Sequence, residues 1–272
     1  MSLKLGIIGG GVMGEAILRS LIERGTAVAS DITVAEIVPD RRESLKSEYG
    51  VKSTASGTEL AESSSTILLA VKPQSFPETA AELKGALKDE HCVVSIMAGI
   101  SIAVMADSLG HSSIVRVMPN TPAQIGQGMS VWTATPSVSK EEKAAARDIL
   151  QAMGKEIYVD DEKYLDMATA LSGSGPAYVF LFLEALIDAG VHIGMSREMA
   201  ELLSTQTILG SVQFAEEYKK HPAVLRNMVT SPGGTTAEGL LKLEEGRLRA
   251  TVAKAVIAAY EKAQALGTPK DK

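Results

Sequence analysis

Lys4-Leu5-Gly6-Ile7-Ile8 runs directly into Gly9-Gly10-Gly11-Val12-Met13-Gly14. The first five residues read as a strand, and residues 13–23 carry the apolar spacing of a helix. The glycines between them fit G-x-G-x-x-G through Gly9, Gly11 and Gly14. Gly9 suits a tight turn, Gly11 puts no side chain in the way of a pyrophosphate, and Gly14 lets helix and strand pack closely. The helix start, with Val12 and Met13, offers free N–H groups to an anion. A strand before the loop and a helix after it give the motif its proper setting, so we expect a bound dinucleotide here.

Outward from this loop the chain alternates. Strands are expected over residues 32–35, 67–70, 93–96 and 114–117, and helices over 41–49, 79–87 and 102–109. The polar stretch 137–142 opens a helix to about residue 153, and 157–159 reads as an edge strand. This order implies a mostly parallel sheet covered by helices. Strand signals stop at about residue 161. Helices follow over 163–170, 176–189, 196–220, 236–244 and 247–266. The expected fold is an α/β N-terminal Rossmann-type dinucleotide-binding domain, residues 1–160, followed by an all-α C-terminal domain, residues 161–272.

The strand ends supply further cofactor candidates. Glu36 ends the second strand, where an acid accepts hydrogen bonds from the adenosine ribose of NAD and repels a 2′-phosphate. Arg41 and Arg42 follow and could neutralise such a phosphate, so NADH and NADPH both remain open. Ala70-Val71-Lys72-Pro73 leaves the next strand at the edge where open α/β sheets bind ligands. Lys72 is expected near the ribose or nicotinamide. Ala98-Gly99 offers small residues beside the cofactor. Arg116-Val117-Met118-Pro119-Asn120-Thr121-Pro122 makes a stiff loop through its two prolines.

Composition narrows the partners. The 272 residues carry a net charge of -6, with basic residues clustered only in short pairs such as Arg41–Arg42 and Lys219–Lys220. Nucleic acid is therefore not expected. The single cysteine, Cys92, excludes an intrachain disulfide and reads as a core thiol, and no metal site is expected. No apolar run approaches the ~20 residues of a membrane span, and the N-terminus lacks a signal peptide's pattern. We expect a cytoplasmic protein with no membrane contact. The helix from Pro176 is apolar on nearly every face, which marks it as buried. A partner subunit would supply that cover, in a homodimer at least.

Thr230-Ser231-Pro232-Gly233-Gly234-Thr235-Thr236-Ala237-Glu238-Gly239 lies between two expected helices. Successive N–H groups there form a nest for a small carboxylate. The other reading is a capping box from Thr235 to Glu238. Leu171-Ser172-Gly173-Ser174-Gly175-Pro176-Ala177-Tyr178 reads as a helix start, with Ser174 or Gly175 as cap and Pro176 in the first turn.

On these stretches, and along essentially its whole length, the chain resembles pyrroline-5-carboxylate reductases. The Gly loop is shared by many dehydrogenases; the segments at 116–122, 171–178 and 230–236 together are specific to the family. The resemblance implies hydride transfer from NADPH or NADH to the C=N carbon of 1-pyrroline-5-carboxylate, giving L-proline. It also implies a helical domain that interlocks in a homodimer, sometimes in a ring of dimers. One subunit's Ser-Pro-Gly-Gly loop would then close over the nicotinamide held by another. Ser231, Gly234 and Thr235 then match the carboxylate cradle, Thr236 the hydroxyl that meets the ring nitrogen, and Glu162 an acid near the substrate. Two positions depart from the family: Gly57 stands where relatives often have Asn near the adenosine ribose, and Lys219 where some have Glu. Two other readings stay open. A β-hydroxyacid dehydrogenase would need a catalytic lysine, for which Lys163 is the candidate. A non-catalytic dinucleotide-binding regulator would need none.

Overall fold

The computed structural model describes residues 3–267. Its centre is a sheet of eight strands: β1 (Leu5–Ile8), β2 (Ile32–Ala35), β3 (Lys52–Thr54), β4 (Thr66–Leu69), β5 (Cys92–Ser95), β6 (Ile114–Met118), β7 (Gly128–Ala134) and β8 (Gly154–Tyr158). The strand order is β3-β2-β1-β4-β5-β6-β7-β8. β1 to β6 pair in parallel, β7 runs antiparallel to β6, and β8 runs parallel to β7. Every residue of β1, β4 and β5 is buried, as strands covered on both faces require.

Alternate residues of the strands feed two cores. Leu5, Ile7, Val34, Val94, Val115 and Val117 join one, with Ile17, Leu18 and Leu21 of α1 (Val12–Glu23). Ile8, Ile67, Leu69, Val93 and Ile114 join the other, with Phe76 and Leu83 of α4 (Phe76–Leu83) and Met105 and Leu109 of α5 (Ile102–Leu109). Each fully buried aliphatic side chain contributes about 1.5–3 kcal/mol. The other helices here are α2 (Pro39–Tyr49), α3 (Gly57–Ser63), α6 (Lys140–Met153) and α7 (Lys163–Ala168). Ser139 and Glu142 close a capping box at the start of α6.

The chain forms two compact units. One runs to Ser174 and resumes at Ala259; the other is Gly175–Ala258. The break between them falls after Ser174. The reason is α7: Leu165 and Ala168 are buried and the helix packs on β6 and β7. The second unit consists of α8 (Gly175–His192), α9 (Arg197–Tyr218), α10 (Pro222–Met228), α11 (Thr235–Glu245) and the first part of α12 (Leu248–Gly267). α8 and α9 pack together where Gly190 meets Ala200.

One expectation needs correction. α8 does not begin afresh at Pro176. Residues 163–192 form one helical run, through a π turn over Thr169–Gly173 in which the Ser174 N–H donates to the Thr169 carbonyl at 2.8 Å. That run is long and apolar enough, by length and composition, to cross a membrane, although its apolar segments looked too short when read separately. α8 contains no buried residue in the single chain, as the reading of a helix covered by a partner subunit requires. Phe180 is 62% exposed and Leu181 67%, so its apolar surface lacks cover within one subunit.

Candidate active site

The strand order reverses between β1 and β4, and the carboxyl ends of these strands diverge around a crevice. Gly9 turns the chain there with φ +102°, a left-handed value that disfavours side chains. A Cβ at Gly9 would also lie 2.9 Å from the Ala70 carbonyl oxygen. A Cβ on Gly14 would fall on the Gly9 carbonyl, which explains how α1 approaches β1 so closely. Gly11 is different: nothing lies within 4 Å of an added Cβ. It is the N-cap of α1 and provides no side-chain cap, so the Val12 and Met13 N–H groups belong to the set that has no partner within the helix. An anion fits there.

The crevice measures about 310 Å³ and brings together Gly9, Gly11, Glu36, Ala70, Val71 and Lys72. Val12, exposed, and Met13, half-buried, form the helix start behind it. Gly14 is a packing residue. Pro73 opens a 3-10 turn directly after Lys72. Ala98 is exposed, but the free side of Gly99 is filled by Leu266, 3.3 Å from where a Cβ would be.

The Glu36 carboxylate is held rigidly. Gly10 N–H donates to its Oε2 at 2.9 Å and Val38 N–H to its Oε1 at 3.0 Å. The arginines face elsewhere. Arg41 donates to the Gly10 carbonyl at 2.7 Å and pairs with Glu15 at 2.8 Å. Arg42 donates to the Glu36 and Ile37 carbonyls at 2.6 and 3.0 Å. Across the crevice, Gly57 N–H and Ser56 Oγ donate to Glu82 Oε1 at 2.6 and 3.1 Å. Sequence reading passed over Glu78 and Glu82, which both line the crevice. Their spacing of four residues on α4 puts them on one helical face, and that was the available signal.

Glu162 lies beyond the carboxyl ends of β5 and β6. Its Oε1 accepts the Ile102 N–H at 2.8 Å and Arg116 Nη1 at 2.5 Å. Arg116 also pairs with Asp166 at 3.5 Å, and its side chain is only 6% exposed. The Glu162 carboxylate therefore neutralises a buried guanidinium and satisfies the first N–H of α5, while Ser101 caps the same helix. A cavity of about 290 Å³ opens beside Arg116, Glu162 and Lys163. An arginine inside an apolar strand needs a charged partner, and that rule was the signal for Arg116.

The loop at 116–122 reaches the π turn through Asn120. Its Nδ2 donates to the Ser172 carbonyl at 3.2 Å, and its Oδ1 accepts the Met129 N–H at 2.8 Å. Pro176, four residues after Ser172, has no N–H to offer that carbonyl. Asn120 supplies the missing donor.

In the other unit, Gly233 has φ +67° and Gly234 is the N-cap of α11, with no side-chain cap. The Gly234 N–H donates to the Ser231 carbonyl at 3.1 Å, and the Ala237 N–H to the Gly234 carbonyl at 3.0 Å. Thr235 and Thr236 are the first two residues of α11, and their side chains are exposed. Their N–H groups belong to the unpaired set at a helix start. Thr235 is thus not the N-cap, so the alternative reading as a capping box does not hold.

A family model described as pyrroline-5-carboxylate reductase dimerisation matches residues 162–266. A second, described as NADP oxidoreductase coenzyme F420-dependent, matches residues 4–99. A pyrroline-5-carboxylate reductase of Synechocystis is 43% identical over 267 residues, covering 98% of this chain and 99% of its own. The chain belongs to the pyrroline-5-carboxylate reductase family. The solved structure of such a reductase from Coxiella burnetii superposes with a TM-score of 0.92 at 37% identity, covering 99% of this chain and 100% of that one. A Plasmodium falciparum pyrroline carboxylate reductase, solved with NADP bound, gives 0.89 at 35% identity, covering 98% of each chain.

A reductase of this family is an NAD(P)H-dependent oxidoreductase acting on a C=N bond, and this chain is one. Its reaction converts pyrroline-5-carboxylate to proline. The dimerisation region supports self-association. The dehydrogenase alternative fails at Lys163. Its ammonium donates to Asp161, 2.8 Å away, and this hydrogen bond raises its pKa, whereas a base lysine needs the opposite shift. Burial pushes the Cys92 thiol up to about 12, so it is a core residue and not a nucleophile. His91 is also buried, which lowers its pKa, and its Nδ1 accepts the Lys88 N–H at 2.9 Å.

Proposed function

We propose that the Gly9–Gly14 crevice holds the reduced dinucleotide and that the loop from Ser231 to Thr236 holds the substrate. When bound, the cofactor supplies the hydride. The chain's own residues bind, orient and complete the proton inventory. The open face of Gly11 and the Val12 and Met13 N–H groups carry the pyrophosphate. Glu36, Ala70, Val71, Lys72 and Pro73 line its ribose and nicotinamide path, with Ala98 and Gly99 at the far edge.

Ser231, Gly234 and the free N–H groups of Thr235 and Thr236 cradle the pyrroline carboxylate. The Thr236 hydroxyl hydrogen-bonds the ring nitrogen where charge changes during reduction. Glu162 acts near the substrate through Arg116 and the start of α5. Residues 161–272 serve as the dimerisation and substrate-binding region, and the exposed side of α8 is covered by a second subunit in a homodimer or a ring of dimers. We place the protein in the cytoplasm, with no nucleic acid and no membrane as partner.

The observation that carries this reading is the open helix start at Gly11 in a chain that also keeps the uncapped Thr235-Thr236 start of α11. The test is steady-state turnover. Purified protein should oxidise NADPH or NADH on addition of pyrroline-5-carboxylate. If both cofactors bind and neither is oxidised, the chain is a regulator that kept the fold.

A further inference from the structure

The charges around the crevice are one-sided. Glu36, Glu78 and Glu82 line it, against the single cation Lys72. Two of these carboxylates are fixed in place by main-chain donors: Glu36 by Gly10 and Val38, and Glu82 by Gly57. A side chain at position 57 would crowd Glu82, since an added Cβ lies 3.3 Å from its Oε2. The glycine there makes room for the acid. The two guanidiniums that follow β2 do not line the crevice. Arg41 is engaged with Glu15 and the Gly10 carbonyl, and Arg42 with the Glu36 and Ile37 carbonyls.

In a doubly wound sheet the end of β2 faces the adenosine ribose hydroxyls. A carboxylate there accepts hydrogen bonds from the 2′- and 3′-hydroxyls and repels a 2′-phosphate. We propose that this chain binds NADH in preference to NADPH, with Glu36 and Glu82 as the specificity-determining carboxylates. The inference rests on the reading of the Gly9–Gly14 crevice as the dinucleotide site. Lys72 follows the strand on the far side of the switch point, and one lysine does not offset three carboxylates.

Isothermal titration with NADH and with NADPH, in the absence of substrate, tests this. NADH should bind at least about tenfold more tightly, a preference that narrows as salt screens the carboxylates. The fragment pair isolates the ribose end: AMP should bind more tightly than adenosine 2′,5′-bisphosphate. Glu36→Gln and Glu82→Gln should each narrow the NADH-to-NADPH ratio, and the double variant should narrow it further. Equal or tighter binding of NADPH overturns the preference and leaves the crevice as the cofactor site. A preference for NADH that neither variant changes overturns the assignment to these carboxylates. Binding of neither cofactor overturns the crevice reading itself. The fragment comparison uses the unaltered chain, so it decides the preference even if a variant fails to fold.

Discussion

Thr236→Ala should lower kcat by about tenfold to a hundredfold, equivalent to about 1.4–2.7 kcal/mol of transition-state stabilisation. The hydroxyl sits on the second residue of α11, exposed, beside N–H groups unpaired at the helix start. Removing it takes away the proposed partner of the ring nitrogen and leaves the cofactor crevice untouched, so dinucleotide affinity should hold. Thr236→Ser keeps the hydroxyl and should keep most of the activity. Stability should barely change, because the N-cap is Gly234 and no side chain caps this helix. Full activity in the Ala variant would remove Thr236 from the mechanism. A lowered melting temperature with unchanged kcat would make it a packing residue.

Gly11→Ala and Gly14→Ala should fail in opposite ways. At Gly11 an added methyl meets nothing within 4 Å, so the fold should be kept and the melting temperature unchanged. The methyl would, however, occupy the space proposed for the pyrophosphate. Cofactor Kd should rise by about tenfold to a hundredfold, which is about 1.4–2.7 kcal/mol. At Gly14 the methyl would meet the Gly9 carbonyl, main chain that cannot move without shifting β1. That variant should be destabilised by about 1–3 kcal/mol as overpacking, with poor binding as a consequence. Calorimetric melting and cofactor titration on both variants separate the two effects. Unchanged affinity in Gly11→Ala would show that the pyrophosphate lies elsewhere.

The parts that were legible from sequence are those where one local pattern decides the outcome. The apolar run at β1, the glycines and the amphipathic α1 specify a strand, turn and helix without distant help. The parts that were not legible depend on distant partners. β3 has three residues and exists by pairing with β2. β7 contains Gly128, Ser130 and Thr133, and is a strand because β6 and β8 flank it and Trp132 is buried, with its Nε1 donating to Glu156 at 2.6 Å. The π turn is met by Asn120, 52 residues before Ser172, which satisfies a carbonyl that Pro176 cannot. Glu82 shares a helical face with Glu78 by spacing alone, but its place in the crevice depends on α4 packing against the start of α3.

The same distinction holds for charge. The acid at the end of β2 was legible from its place in the motif, but the engagement of Arg41 and Arg42 elsewhere was not, because their partners are main-chain carbonyls and Glu15. Glu162 was identified by position in the family pattern, and its immediate partners are Arg116 and the Ile102 N–H. Breaking that ion pair would expose a buried guanidinium without its main counter-charge. Such breaks cost about 3–5 kcal/mol when fully buried, and less here because Glu162 is partly exposed. This places Glu162 at least as much in the architecture of the site as in its chemistry.

The central claim is that hydride passes from the dinucleotide to the imine carbon of pyrroline-5-carboxylate on this chain. Its most direct test is isotopic. The reduced cofactor is deuterated at the transferring position of nicotinamide C4, and the product is analysed by mass spectrometry and NMR. Proline should form mole for mole with oxidised cofactor and carry deuterium on the ring carbon that had been doubly bonded to nitrogen. Cofactor oxidation without proline, or proline without the label, would contradict the account.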